Sequence, residues 1–188
     1  MLVQALGIPD VLVVTPRRFG DDRGFFSETY NERSFAEAGI DVRFVQDNHS
    51  YSAQRGTVRG LHYQAPPHAQ AKLVRVAQGR IYDVAVDARK GSPTFGQHVG
   101  ATLTAEGGEQ IFVPAGFLHG FITLEPDTHV LYKVDDYYSK ACDGAVRFDD
   151  PALAIDWGDL ARSPVLSEKD AAAPSWAEFS SPFVYAQG

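Results

Sequence analysis

Short apolar runs separated by turn residues fill the first 140 positions. They begin with VLVVT at 11–15, GFFSETY at 24–30, VRFVQ at 42–46, VRGLHYQ at 58–64, KLVRVAQG at 72–79 and RIYDVAVD at 80–87. GQHVGATLT at 96–104, EQIFVPAG at 109–116, HGFITL at 119–124 and HVLYKVDDYY at 129–138 continue the series. β-Branched and aromatic residues dominate these runs, and no long amphipathic helical period lies between them, so the pattern predicts an antiparallel sandwich or barrel. Within 80–87 the alternation puts Tyr82, Val84 and Val86 on one face and Ile81, Asp83, Ala85 and Asp87 on the other, the pattern of a half-buried strand. One short helix is expected at 34–38, where SFAE has capping-box spacing and Gly39 supplies a stop. From about 149 the chain becomes Pro- and Ala-rich, which suggests a segment packed across the outside of the barrel.

Composition narrows the class. The 188 residues, 44% hydrophobic and 22% charged, suit one globular domain with a substantial core. A lone cysteine, Cys142, cannot close an intramolecular disulfide, and no apolar run approaches the length of a membrane span, so a soluble, cytoplasmic protein without a membrane partner is the default expectation. The net charge of −7 is uneven: residues 55–90 hold seven Lys/Arg against two acids, whereas 135–188 hold four against ten. A basic centre in an acidic chain fits a pocket for a small anion better than it fits nucleic acid, with a solvated basic strand face as the competing reading.

The candidate chemistry centres on RGLHYQ at 59–64. His62 could be a core residue, a metal ligand or a base. The spacings of Gly56 to His62, Lys72 to Gly79, and Gly108, Pro114, Gly116 and His119 resemble the two motifs of the cupin superfamily, small jelly-roll barrels whose metal ligands are usually three histidines and a glutamate. Here Gln64 and Lys72 stand at two ligand positions. A charged lysine has three donors and no lone pair, so a metal is not expected. Two histidines beside a lysine in the basic region better suit an anion-stabilising pocket.

The resemblance sharpens over DDRGFFSE (21–28), VQDNHS (45–50), RGLHYQ (59–64), AKLVRVAQG (71–79), GSPTFGQ (91–97), VPAGFLHGF (113–121), LYKVDDYY (131–138) and LSEKDA (166–171). In this order the blocks resemble the dTDP-4-dehydrorhamnose 3,5-epimerase family over nearly the whole chain. That resemblance implies an all-β jelly-roll fold with a few short, mainly C-terminal helices, and a cofactor-free isomerase acting on a dTDP-linked 4-keto-6-deoxyhexose. His62 would be the base, oriented by Asp170; Lys72 would stabilise the enolate; Tyr132 would be the opposing acid, although a barrel-filling aromatic is its plainer reading. Arg23 and Arg59 would meet diphosphate oxygens, and Glu28, Gln46, Asn48, His119 and Lys169 would contact nucleotide or sugar. Phe26 would stack on the base or fill the core. Asp143 stands where the family usually has Glu, and Lys140 where proline is common. The resemblance also implies a homodimer whose N-terminal strands, within residues 1–50, are exchanged, so that Arg23 and Glu28 serve the neighbouring site. A relative that inverts a single carbon, a non-catalytic sugar-nucleotide module and a metal-dependent oxygenase are the rivals.

Overall fold

Alternation along each strand sorts the chain into two facing sheets in the computed structural model, which describes residues 1–186. The N-terminal part supplies β1 (Leu2–Ala5), β2 (Leu12–Thr15), β3 (Arg18–Asp21), β4 (Gly24–Ser27), the short helix α1 (Glu32–Glu37) and β5 (Gln46–Ser52). The central strands are β6 (Val58–Gln64), β7 (Lys72–Gln78), β8 (Arg80–Asp87), β9 (Arg89–Lys90), β10 (His98–Thr104), β11 (Gln110–Val113), β12 (Phe117–Thr123) and β13 (Thr128–Val134). β14 (Asp143–Ala145), a 3₁₀ turn (Asp159–Arg162), helix α2 (Glu168–Ala171) and β15 (Phe183–Val184) complete the order. One sheet runs β1-β2-β11-β7-β13-β5 and the other β10-β8-β12-β6-β14. This is the expected jelly-roll class.

Three apolar layers hold the sheets. Between them lie Val74, Val76, Ile111, Val113 and Val130 from the six-stranded sheet and Ile81, Ala85, Leu103, Phe117 and Phe121 from the five-stranded one. The outer face of the five-stranded sheet, with Val58, Leu61, Val84, Val86, Leu118 and Ile122, is covered by Val146, Phe148, Leu153, Trp157 and Phe183. On the far side Val14, Leu73 and Phe112 pack against Phe35 and Ile40 around α1. β8 is therefore buried on both faces, not half-buried as its alternation suggested: Ile81 and Ala85 face the inter-sheet core, while Val84 and Val86 lie under the covering segment.

Two other expectations need correcting. α1 begins at Glu32, because Asn31, in an extended conformation, accepts from Ser34 N at 3.2 Å and caps the helix three residues before the SFAE reading. Residues 42–45 are not strand: Val42 and Phe44 pack against the α1 cluster, and the ladder starts only at Gln46. β5, with sequence QDNHSYS, is polar because the inward side chains on its pleat line a cavity.

Candidate active site

The cavity occupies one end of the space between the sheets. On β7 Lys72 shares the inward face of Val74 and Val76, and on β13 Tyr132 shares that of Val130. Strand register sets Asn48 of β5 directly opposite Tyr132, and Gln46 opposite Val134. From the other sheet come Arg59 and His62 of β6 and His119 of β12. Arg59 and His62 are three residues apart and would face opposite sides of a regular strand. A bulge brings both inward: between His119↔His62 and Phe121↔Arg59 the β6 side contains one extra residue. Gly60 makes the bulge possible, since a Cβ there would lie 2.6 Å from Gly120 Cα and φ is +127°.

Two adjoining cavities, of about 340 and 270 Å³, share His62, Lys72 and Tyr132. Arg59, His119, Ser167 and Asp170 line the first; Gln46, Asn48, Tyr138, Asp143 and Lys169 line the second. The side chains expected from sequence on β5–β7, β12–β14 and α2 are thus brought together. Arg23, Phe26 and Glu28 are not. They lie on or beside the β3–β4 hairpin, all exposed, and Arg23 is turned back onto Asp21 through hydrogen bonds of 2.5–3.2 Å.

Asp170 reaches the cavity from the covering segment. Val165 is stitched to the start of β6, donating to Gly56 O at 2.9 Å and accepting from Val58 N at 3.0 Å. Ser167 then caps α2, taking the Asp170 N–H at 3.1 Å and donating to Asp170 Oδ2 at 2.9 Å. The other carboxylate oxygen accepts from His62 Nε2 at 2.5 Å, 108 residues away in sequence. Burial alone would raise the Asp170 carboxyl, but hydrogen bonds from His62 and Ser167 hold it below the ordinary aspartate range. The hydrogen on Nε2 leaves Nδ1 of His62 as the free ring nitrogen.

Lys72 donates to no side chain among the described residues. Removal from bulk water pulls its ammonium down to about 8, against the opposing pull of Asp83 and Asp143. Burial pushes the Tyr132 phenol up, and Arg59 pulls it partly back. The phenol is therefore protonated at neutral pH and available as a donor. The remaining expected contacts are partly spent on one another: Lys169 Nζ pairs with Asp143 Oδ2 at 2.5 Å, and Gln46 Nε2 donates to Asn48 Oδ1 at 2.9 Å.

The cupin metal positions do not fit a cation. Gln64 Nε2 donates to the carbonyls of His68 and Tyr137, its Oε1 accepts from Ser139 N, and Lys72 is a cation itself. Among the described residues no three His, Cys, Asp or Glu side chains form a metal-binding group.

Sequence reasoning missed two cavity residues and one behind the cavity wall. Tyr138 donates to Asp143 Oδ2 at 3.4 Å, and Ser167 holds Asp170 as above. Asp83, fully buried, accepts from His119 Nε2 with both oxygens at 2.9 Å. Its signal was visible as one of two acids, with Asp87, on the face of Ile81 and Ala85.

A carboxylate-held histidine on one wall, facing a partly desolvated lysine and a protonated tyrosine on the other, is equipment for removing and returning protons beside a carbonyl. The fold and site thus define a cupin-like jelly-roll isomerase. Residues 5–178 match the family described as dTDP-4-dehydrorhamnose 3,5-epimerase, and the chain belongs to that family. A dTDP-4-dehydrorhamnose 3,5-epimerase from Sinorhizobium fredii (strain NBRC 101917 / NGR234) is 51% identical over 185 residues, covering 98% of this chain and 94% of the relative. The crystal structure of dTDP-4-dehydrorhamnose 3,5-epimerase from Bacillus anthracis str. Ames with TDP and PPi bound aligns with a TM-score of 0.90 at 52% identity, over 93% of this chain and 98% of that one. dTDP-6-deoxy-D-glucose-3,5-epimerase from Legionella pneumophila Philadelphia 1, in complex with dTDP-4-keto-L-rhamnose, aligns at 0.93 and 42% identity over 100% and 99%.

Proposed function

We propose that the chain converts dTDP-4-dehydro-6-deoxy-D-glucose to dTDP-4-dehydro-L-rhamnose by inverting C3 and C5. The observation that carries this reading is the convergence of His62, Lys72 and Tyr132 on one cavity from opposing sheets. The C4 ketone acidifies the hydrogens on both neighbouring carbons. His62 Nδ1 takes each in turn, and Asp170 stabilises the imidazolium through Nε2. The electron pair moves onto the C4 oxygen, where the Lys72 ammonium opposes the charge that develops in the transition state. Tyr132, on the facing sheet, returns a proton to the opposite side of the enolate. Arg59, His119, Lys169, Asp143, Gln46 and Asn48 hold the nucleotide and sugar.

The N-terminal strands extend the proposal to assembly. Phe19, Phe25 and Phe26 are 52%, 61% and 70% exposed on the β3–β4 hairpin, and β5 forms an open edge of the six-stranded sheet. A homodimer that lays this hairpin against the partner's β5 would cover both and carry Arg23 and Glu28 to the neighbouring cavity. Light scattering should then give twice 20.6 kDa. No helix among the described residues is long and apolar enough to cross a membrane, and a lone cysteine suits a cytoplasmic enzyme.

Turnover in heavy water tests the chemistry. The wild type should place solvent deuterium at both C3 and C5 and invert both. Tyr132→Phe should still exchange label but invert poorly, because His62 alone returns a deuteron to the face it came from. Label confined to one carbon through many turnovers would point to a single-carbon epimerase, and no label with tight binding to a non-catalytic module.

A further inference from the structure

A fully buried carboxylate in an apolar inter-sheet core costs several kcal/mol unless something positive stands beside it. Asp83 is such a group. It projects from β8 between Ile81 and Ala85, both in the inter-sheet cluster, and its one hydrogen-bonded partner among the described residues is His119 Nε2. The register of β12 sets His119 directly opposite His62 on β6 and Ala85 on β8, so Asp83 lies behind the cavity wall that faces Lys72.

The charges around Lys72 can be counted. From β14 comes Asp143, and from α2 Lys169; these two are paired at 2.5 Å and largely cancel. β6 and β12 supply His62 and His119, each held by a carboxylate, and β13 supplies the phenol of Tyr132. Arg59 adds a further positive charge to the cavity wall. Asp83 and Asp170 are each held by a histidine of the cavity wall, and of these two carboxylates it is Asp83 that bears on Lys72.

We propose that Asp83 is a positioning residue with two effects: it fixes the Nε2–H form of His119, and it serves as the counter-charge that keeps the Lys72 ammonium protonated for the enolate. The inference rests on the enolate role given to Lys72 above. Among charges favouring the protonated form of Lys72, Asp83 acts more strongly than Asp143. The carboxylate therefore acts on the reaction without touching the sugar.

The test is Asp83→Asn, whose amide oxygen can still accept from His119. Two readouts are taken: NMR titration of Lys72 with isotope-labelled lysine, and the pH profile of kcat. The Lys72 midpoint should fall, and the alkaline limb of kcat should move to lower pH with it. Each unit of movement costs about tenfold in rate once the pH exceeds both midpoints. An unmoved Lys72 midpoint overturns the proposal, even if turnover drops uniformly at all pH values, since a purely structural role would do that. A lower midpoint with an unchanged rate profile upholds the pairing and counts against Lys72 as the enolate partner, so the two ideas fail separately. If the variant does not fold, the unaltered protein decides. The carboxyl carbon of Asp83 should show a step at the Lys72 midpoint near pH 8, and a flat trace there overturns the pairing.

Discussion

Replacing Asp170 by Asn keeps the shape of the His62 partner and removes its charge. In the wild type the carboxylate accepts from His62 Nε2 at 2.5 Å and from Ser167 Oγ at 2.9 Å in a site with 5% residual exposure. A hydrogen bond to a charged group contributes about 1.5–3 kcal/mol and a neutral one about 0.5–1.5, so the imidazolium formed during proton abstraction loses about 1–1.5 kcal/mol of stabilisation. That is roughly five- to fifteen-fold in rate. A second effect adds to it. Ser167 Oγ can donate to an amide oxygen or accept from an amide nitrogen, so the Asn side chain is free to present either end to His62. The end with the NH₂ group forces the ring hydrogen onto Nδ1 and silences the base. The expected loss in kcat is therefore at least tenfold, yet smaller than that of His62→Ala, where about 10²–10⁴ from base catalysis disappears. Turnover in heavy water is the assay. Exchange at C3, exchange at C5 and inversion should fall together, because all three begin with the same abstraction. Exchange within twofold of wild type, or inversion falling while exchange holds, would refute the dyad. Stability gives an independent check. The Asp170 carboxyl is held below its ordinary value, so its contribution to folding is present above about pH 4 and lost as the pH drops further. Thermal melts of wild type and variant should differ at pH 7 and converge in acid.

Activity should decline above about pH 8 as Lys72 loses its proton, since Tyr132 is pushed to higher values and does not titrate there; a kcat profile flat to pH 10 would remove Lys72 from the chemistry. Asp87 is fully buried and bound by Arg89, Ser92 and Thr94, so Asp87→Ala should cost about 3–5 kcal/mol in denaturant unfolding at pH 7. Asp87 is held down to about 2, so that difference should shrink as the pH falls from about 4 towards 2; a difference independent of pH would mean that packing, not charge, is lost. Gly60→Ala should cost about 2–6 kcal/mol from overpacking and backbone strain together, and should move His62 out of register. A variant with wild-type melting temperature and turnover would show that the bulge tolerates a side chain.

Period-two apolar alternation made β6, β7, β8 and β10–β13 legible, because their inner faces are core. It failed at β5 because Gln46, Asn48 and Ser50 face the cavity, so the strand has no apolar face to betray it. β1, β3 and β14 are three or four residues long, too short for a pattern to emerge. The double burial of β8 depends on a covering segment more than 60 residues downstream, which local alternation cannot register. Within the site, spacings that resemble the cupin motifs, together with the chemistry of Gln64 and Lys72 at two ligand positions, picked out His62, His119 and Lys72 as an anion-stabilising pocket. The meeting of His62 with Asp170 is a long-range contact, legible only through resemblance to the family. Lys169 and Asp143 were each read as substrate contacts, and their mutual ion pair went unseen because no local spacing links positions 143 and 169.

The route by which Asp170 arrives sets an order of failure for the enzyme. His62 sits in a sheet, but its carboxylate partner rides on the segment that drapes over that sheet's outer face, held by Trp157, Leu153, Phe183 and the two hydrogen bonds at Val165. Peeling this flap away would leave both sheets and their inter-sheet packing standing while separating the dyad. Heat inactivation should therefore run ahead of the loss of β-sheet circular dichroism, and a protease that nicks the chain between residues 149 and 165 should abolish turnover while leaving a folded, inert barrel. Catalytic lifetime should then follow how well this covering stays closed.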